Sequence, residues 1–150
     1  MWAASGLLLI GGLIYIIFRT PTVLYRLVGD GWPWINAARG CAKAWLAESG
    51  AVGDFVVYSL PDGLWVTSYI LIIHTIYRNA PVGQRIRCAS AIPLIGAATE
   101  LLQACCPMGY AIGRVQVGTY DVLDLVCYLA PLVCYIILQK IRTSQHNSIL

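Results

Sequence analysis

Apolar residues fall into four long runs separated by polar segments, and this pattern predicts four membrane-spanning helices. The runs cover about 3–18, 61–77, 86–106 and 120–139. A bilayer core needs about 20 apolar residues in helical form, and shorter runs are accommodated where the bilayer thins. The sequence therefore predicts an all-α membrane protein: a four-transmembrane-helix bundle that forms a single integral membrane domain over residues 1–150.

The segment between the first two runs, 19–60, is too apolar and aromatic for a solvated loop. Its tryptophans, a residue type that favours the headgroup region, are Trp32, Trp34 and Trp45. Asn36 is a candidate N-cap for a short helix that Gly50 would end, and Ser59 is a candidate N-cap for the second run. Residues 52–60 are apolar but too short to span. We expect an interfacial or re-entrant helical segment here; a loop helix that rests on the bundle without a function is the alternative.

Composition agrees with this class of protein. The chain is 59% hydrophobic and 11% charged, whereas roughly a quarter of the residues of a soluble domain are charged. Basic residues follow the second and fourth runs, at Arg78, Arg85, Arg87, Lys140 and Arg142. Two crossings separate these groups, so they share a side of the membrane, and the positive-inside rule makes that side cytoplasmic. Both termini, including the tail 140–150, are then cytoplasmic. We interpret the net charge of +3 as a topology signal, not as a sign of nucleic-acid binding.

Four acidic residues lie inside or at the mouth of these runs: Asp62, Glu100, Asp121 and Asp124. Ionisable groups at membrane depth are costly and usually face a bundle interior or a wet cavity, where they mark function. In the predicted topology all four lie in one layer near the extracytoplasmic face. Gln103 lies on the same helix face as Glu100, three residues on. We expect these five side chains to form one polar, ligand-binding site.

Each acid also has a structural interpretation. Asp62 and Asp121 lie at predicted helix N-termini, where a carboxylate caps free amide groups. Glu100 is either held by hydrogen bonds, for example to Gln103, or paired with Arg114 or with the cationic group of a ligand. Arg114 would in that case belong to the ligand-binding set, and as a plain solvated loop residue it needs no role.

The remaining chemistry-bearing residues point to no metal and no cofactor. His74 lies about 18 Å from Asp62 along a helix and is more simply a hydrogen-bonded residue than a metal ligand. The six cysteines show no zinc spacing. A disulfide from Cys41 to Cys105 or Cys106 is open, because these three could face the oxidising side.

Two short motifs frame the predicted site: Glu100-Leu101-Leu102-Gln103 and Gly118-Thr119-Tyr120-Asp121-Val122-Leu123-Asp124. They resemble motifs of the VanZ-like family of small bacterial membrane proteins, and the segment from Ser59 to Trp65 is similar to one in a divergent branch of it. The resemblance covers 59 to about 128. The chain has Gly118 and Tyr128 where the family's usual pattern has Arg and Asn. The resemblance implies a bacterial inner-membrane protein that lowers susceptibility to a glycopeptide antibiotic, with no established reaction.

Three functions remain open. The first is a non-catalytic cell-envelope or antibiotic-tolerance factor that binds membrane lipids, a lipid-linked cell-wall precursor or another membrane protein at the acidic site. The second is an intramembrane enzyme acting on a lipid head group, with Glu100 or Asp124 as the catalytic acid or base. The third is a small structural subunit of a membrane complex.

Overall fold

The computed structural model describes residues 2–18, 33–105 and 121–147. These residues form five α-helices and one π-helical turn. They are α1 (Trp2–Phe18), α2 (Pro33–Asp54), the π-turn (Phe55–Ser59), α3 (Leu60–Ile76), α4 (Val82–Cys105) and α5 (Val122–Asn147). No strand occurs within the described ranges. The predicted all-α class is therefore confirmed for this part of the chain.

Three helical stretches are long and apolar enough to cross a bilayer: Ala44–Ile76, Val82–Cys105 and Val122–Gln145. α1 is apolar but shorter, with its hydrophobic part at Trp2–Ile14. Large apolar side chains project outward from these helices, among them Trp65, Ile95, Leu102 and Ile137. Such a surface is stable in lipid, not in water. The chain thus has the architecture of a membrane protein, while the fourth crossing remains a prediction.

The region before α3 differs most from the sequence prediction. The backbone leaves the helical conformation at Gly50 (φ 52°, ψ −135°), as the predicted helix stop requires. Helix resumes at once, however, and residues 52–60 run directly into α3 without forming a separate segment. Ser59 is not an N-cap, because its side chain makes no capping hydrogen bond.

Pro61 explains the π-turn. A proline in a helix has no N–H to donate, and its ring collides with the carbonyl four residues earlier, here that of Val57. The chain avoids this collision by widening the turn, so that the N–H of Leu60 reaches back five residues to the carbonyl of Phe55. The helix therefore continues through a proline that the sequence indicated as a helix start.

The core lies between α3, α4 and α5. Its buried apolar members are Val66, Ile70, Ala89, Leu132 and Tyr135. α1 packs on α3, and Gly11 lies at the contact between them. A Cβ atom added to Gly11 would lie 3.4 Å from the Pro61 carbonyl oxygen and 3.5 Å from the Cβ of Leu64. This arrangement places the start of α3, the end of α4 and the start of α5 at the same end of the bundle.

Candidate functional site

The four predicted acids meet at that end of the bundle. Asp62 lies in the first turn of α3, Glu100 near the end of α4, and Asp121 and Asp124 at the start of α5. The carboxylates of Asp124, Asp62 and Asp121 all act electrostatically on Glu100. We call these four residues the acidic cluster. Three helices contribute to it, as the sequence predicted.

Glu100 is the buried centre of the acidic cluster, with a side chain only 6% exposed. Its Oε2 accepts a hydrogen bond of 3.3 Å from the backbone N–H of Asp121. The Oδ1 of Asp121 in turn accepts one of 2.8 Å from the N–H of Leu123. Asp121 therefore has the helix-capping role that the sequence offered as its structural interpretation. Both carboxyls help to begin α5.

Tyr128 is a site residue that the sequence analysis missed. Its hydroxyl donates a hydrogen bond to the carboxylate of Asp62, which joins α5 to α3. Its ring lies against Gly96 of α4, where an added Cβ would come within 2.6 Å of Cδ1. Helical spacing could have revealed it, because Tyr128 follows Asp124 by four residues and so shares its helix face.

Three polar atoms around the acidic cluster are buried and have no hydrogen-bond partner among the described residues: Asp124 Oδ1, Gln103 Oε1 and Ser59 Oγ. Ser59 is 1% exposed and precedes Asp62 by three residues. In the part of the chain that the structure describes, no hydrogen bond joins Gln103 to Glu100, and the Glu100 carboxyl is held by the Asp121 N–H instead. A buried unsatisfied polar group costs about 1–3 kcal/mol, and a ligand can supply the hydrogen bonds that these atoms do not receive from the described residues.

An apolar cavity of about 520 Å³ adjoins the acidic cluster; it is lined by the four helices α1, α3, α4 and α5 and opens to the outer surface of the bundle at Trp65 and Ile95. Its walls include Leu8, Trp65, Ile72, Ile92 and Ile95. Asp62 and Tyr128 also line it and are its connection to the acidic cluster. A third polar lining residue, Tyr69, donates its hydroxyl hydrogen to the Cys88 carbonyl at 2.7 Å. The space therefore combines a long apolar wall with one carboxylate and two phenols, within the size range of small-molecule sites.

Other predicted residues fall away from this site. His74 lies at the opposite end, where its Nδ1 is 3.2 Å from the Tyr135 hydroxyl, so the hydrogen-bonded interpretation is confirmed. Cys41 and Cys105 are both free thiols, which excludes a disulfide between them. Arg114 and Cys106 lie outside the described residues. Within the described ranges, no three His, Cys, Asp or Glu side chains are grouped to hold a metal ion.

Comparison with known proteins does not assign the chain to a family. No protein family matches the chain, and neither a curated protein nor a solved structure matches it. The VanZ-like resemblance remains a prediction from its motifs, and the functional argument depends on the geometry of the acidic cluster.

Proposed function

We propose that the chain is an integral membrane protein of the bacterial cell envelope that binds a lipid or a lipid-linked cell-wall precursor without chemical turnover. The head group lies at the acidic cluster and the acyl chain in the adjoining cavity. The observation that carries this proposal is the pair of buried acceptor atoms, Asp124 Oδ1 and Gln103 Oε1, that have no donor among the described residues. They favour a head group rich in hydrogen-bond donors, such as an amine or sugar hydroxyls.

Charge supports the same class of head group. The electrostatic interaction of Glu100 with three further carboxylates is unfavourable when these groups are ionised. A cationic or hydroxyl-bearing group placed among them relieves that repulsion and supplies the missing hydrogen bonds. An anionic group alone would be repelled there.

The cavity supports the apolar half of the ligand. Its lining is mainly aliphatic and aromatic, and it meets the acidic cluster at Asp62 and Tyr128. An amphipathic molecule can therefore place its polar end among the carboxylates while its hydrocarbon tail contacts Leu8 and Ile92. A fully polar ligand would bind poorly in this cavity, because burying its polar groups against apolar side chains without hydrogen bonds costs free energy.

Topology completes the proposal. α1 carries no charge and exposes Leu9, Ile10 and Leu13 on the side away from α3, so we propose that it also crosses the membrane, with some local thinning. Four crossings place both termini and the basic turn between α3 and α4 in the cytoplasm. The acidic cluster then faces the outer leaflet, where cell-wall precursors are used. The VanZ-like resemblance implies a role in glycopeptide tolerance, and this placement is compatible with it.

Lipids that co-purify with the protein in mild detergent test the proposal. Mass spectrometry of wild type should show one enriched lipid class. Asp124→Asn and Glu100→Gln should each reduce its retention by about tenfold, the loss expected when one charge-assisted hydrogen bond is removed. Glu48→Gln is the matched control, because Glu48 is an exposed acid on α2, and it should retain the lipid.

Identical lipid contents in wild type and both cluster variants would contradict the proposal. Conversion of the retained lipid during incubation would indicate the intramembrane enzyme instead. In cells, the same two variants should abolish any change in glycopeptide susceptibility that the wild-type chain confers, while Glu48→Gln should preserve it.

A further inference from the structure

The end of the bundle opposite the acidic cluster carries a second group of polar side chains. His74 lies in the last turn of α3, Arg85 in the first turn of α4 and Arg142 on α5. The positive charges of both arginines act on the His74 ring and on the Tyr135 hydroxyl. We call His74, Arg85 and Arg142 the basic cluster. The acidic cluster begins about 18 Å away along α3, so it does not neutralise these charges.

Hydrogen bonds hold the His74 ring in place. Its Nδ1 lies 3.2 Å from the Tyr135 hydroxyl and 3.5 Å from Nε2 of Gln139, a side chain only 3% exposed. In the tautomer in which Nδ1 accepts from the Gln139 amide, the ring proton of neutral His74 lies on Nε2. The rings of His74 and Tyr135 also meet edge to face, with centroids 5.7 Å apart. The imidazole is therefore held in place by Tyr135 and Gln139.

The guanidinium group of Arg85 has a buried N–H donor for which the described residues provide no acceptor. Its Nε is buried and has no hydrogen-bond partner among the described residues. Arg87, two residues along, is exposed and its Nε donates to the Gly83 carbonyl at 3.4 Å. The two arginines share a helix and a charge, yet only Arg85 has a buried donor to satisfy. The N–H groups along one side of a guanidinium form their strongest hydrogen bonds with an anion that offers several oxygen acceptors.

We propose that the basic cluster binds a phosphate group, with the guanidinium groups of Arg85 and Arg142 and the Nε2–H of His74 as donors. The beginning of α4 lies at the same end, and its macrodipole adds to the attraction for an anion. The phosphate belongs either to a phospholipid head group or to a soluble phosphate ion. This site is independent of the acidic cluster, because the two lie at opposite ends of the bundle and favour ligands of opposite charge.

Titration calorimetry of the purified protein in neutral detergent distinguishes the two sources. The probes are dihexanoyl phosphatidic acid, dihexanoylglycerol as its phosphate-free match, and inorganic phosphate. We expect phosphatidic acid to bind and dihexanoylglycerol not to bind. Inorganic phosphate that competes with the lipid identifies soluble phosphate as a ligand, and failure to compete identifies the lipid head group. Absence of binding by both phosphate-bearing probes overturns the proposal.

Arginine variants test the assigned donors. Arg85→Gln should weaken phosphate binding by at least about tenfold, since it removes a charge-assisted hydrogen bond. Arg87→Gln should change it by less than about twofold, because an exposed charge contributes little. Arg85→Lys keeps the charge but loses the Nε donor and should give an intermediate affinity. Equal losses in Arg85→Gln and Arg87→Gln would show general surface attraction and overturn the proposal. Should Arg85→Gln not fold, Arg85→Lys and Arg142→Gln are compared with Arg87→Gln in the same way.

Discussion

The backbone N–H of Asp121 donates a 3.3 Å hydrogen bond to Oε2 of Glu100, so a buried carboxyl of α4 holds the beginning of α5. Glu100 thus has a structural role that is separate from ligand binding. The two roles can be distinguished by substitution, because the hydrogen bond needs only an acceptor oxygen while head-group recognition needs a carboxylate.

We expect Glu100→Gln to leave thermal stability in detergent unchanged or slightly raised. The amide oxygen can still accept from Asp121, and the repulsion among carboxylates is reduced. Glu100→Ala should instead destabilise the protein by about 1–3 kcal/mol, because it leaves the Asp121 N–H without its acceptor. Thermal unfolding followed by tryptophan fluorescence compares the two, and equal destabilisation by both would argue against the acceptor role.

Gly96→Ala should destabilise the bundle by about 1–3 kcal/mol, the usual cost of overpacking. The new methyl group would lie 2.6 Å from the Tyr128 ring unless α4 and α5 separate. Gly83→Ala on the same helix is the control, because no atom lies within 4 Å of its added Cβ. That control should be neutral or stabilising by up to about 1 kcal/mol, since alanine favours the helix. A Gly96→Ala protein as stable as Gly83→Ala would show that the close contact is not formed.

Tyr128→Phe should cost about 0.5–1.5 kcal/mol, because it removes the hydroxyl that donates to Asp62 and keeps the ring that packs on Gly96. A double-mutant cycle with Asp62→Ala isolates this interaction. The two changes should be less than additive, since the second removes a bond that the first has already broken. Strict additivity of the unfolding free energies would mean that Tyr128 and Asp62 are not coupled.

The proposed topology predicts the location of three chain positions. Reporter fusions after Asn79 and after Gln145 should both report the cytoplasm, and a fusion after Gly50 should report the opposite side. The reason is that the basic turn and the end of α5 meet at one end of the bundle, as the joint action of Arg85 and Arg142 on His74 shows. A fusion after Gln145 on the opposite side from one after Asn79 would contradict the antiparallel arrangement itself.

The lengths of the apolar runs and the positions of the charges were sufficient to predict the all-α class and the meeting of the four acids. The acids could be placed because each lies close to a helix end, and antiparallel neighbours bring alternate ends together. Side-chain partners could not be predicted in this way. The bond from Tyr128 to Asp62 depends on how closely α5 approaches α3 and α4, and Gly96 permits that approach only in the folded bundle.

Local rules also misjudged the entry to α3. Ser59 followed by Pro61 is a common start of a helix, so the sequence indicated a boundary there. In the structure the same proline is accommodated by a wider turn, and helical residues continue upstream to the break at Gly50. The Ser59 hydroxyl, predicted to cap α3, is buried and has no hydrogen-bond partner within the described ranges. Whether a helix starts at such a proline or continues through it depends on how the flanking residues pack in the bundle, and a single sequence does not reveal that packing.

The wide turn at Phe55–Ser59 sets the rotational phase between the two halves of the long helix. One residue turns an α-helix by about 100° and advances it by about 1.5 Å. A chain shortened by one position within this turn would keep Asp62 in place while swinging α2 to another side of the bundle. A change of chain length at this point would therefore reorient Trp34 and Trp45, the exposed aromatic residues of α2. The acidic cluster would keep its position.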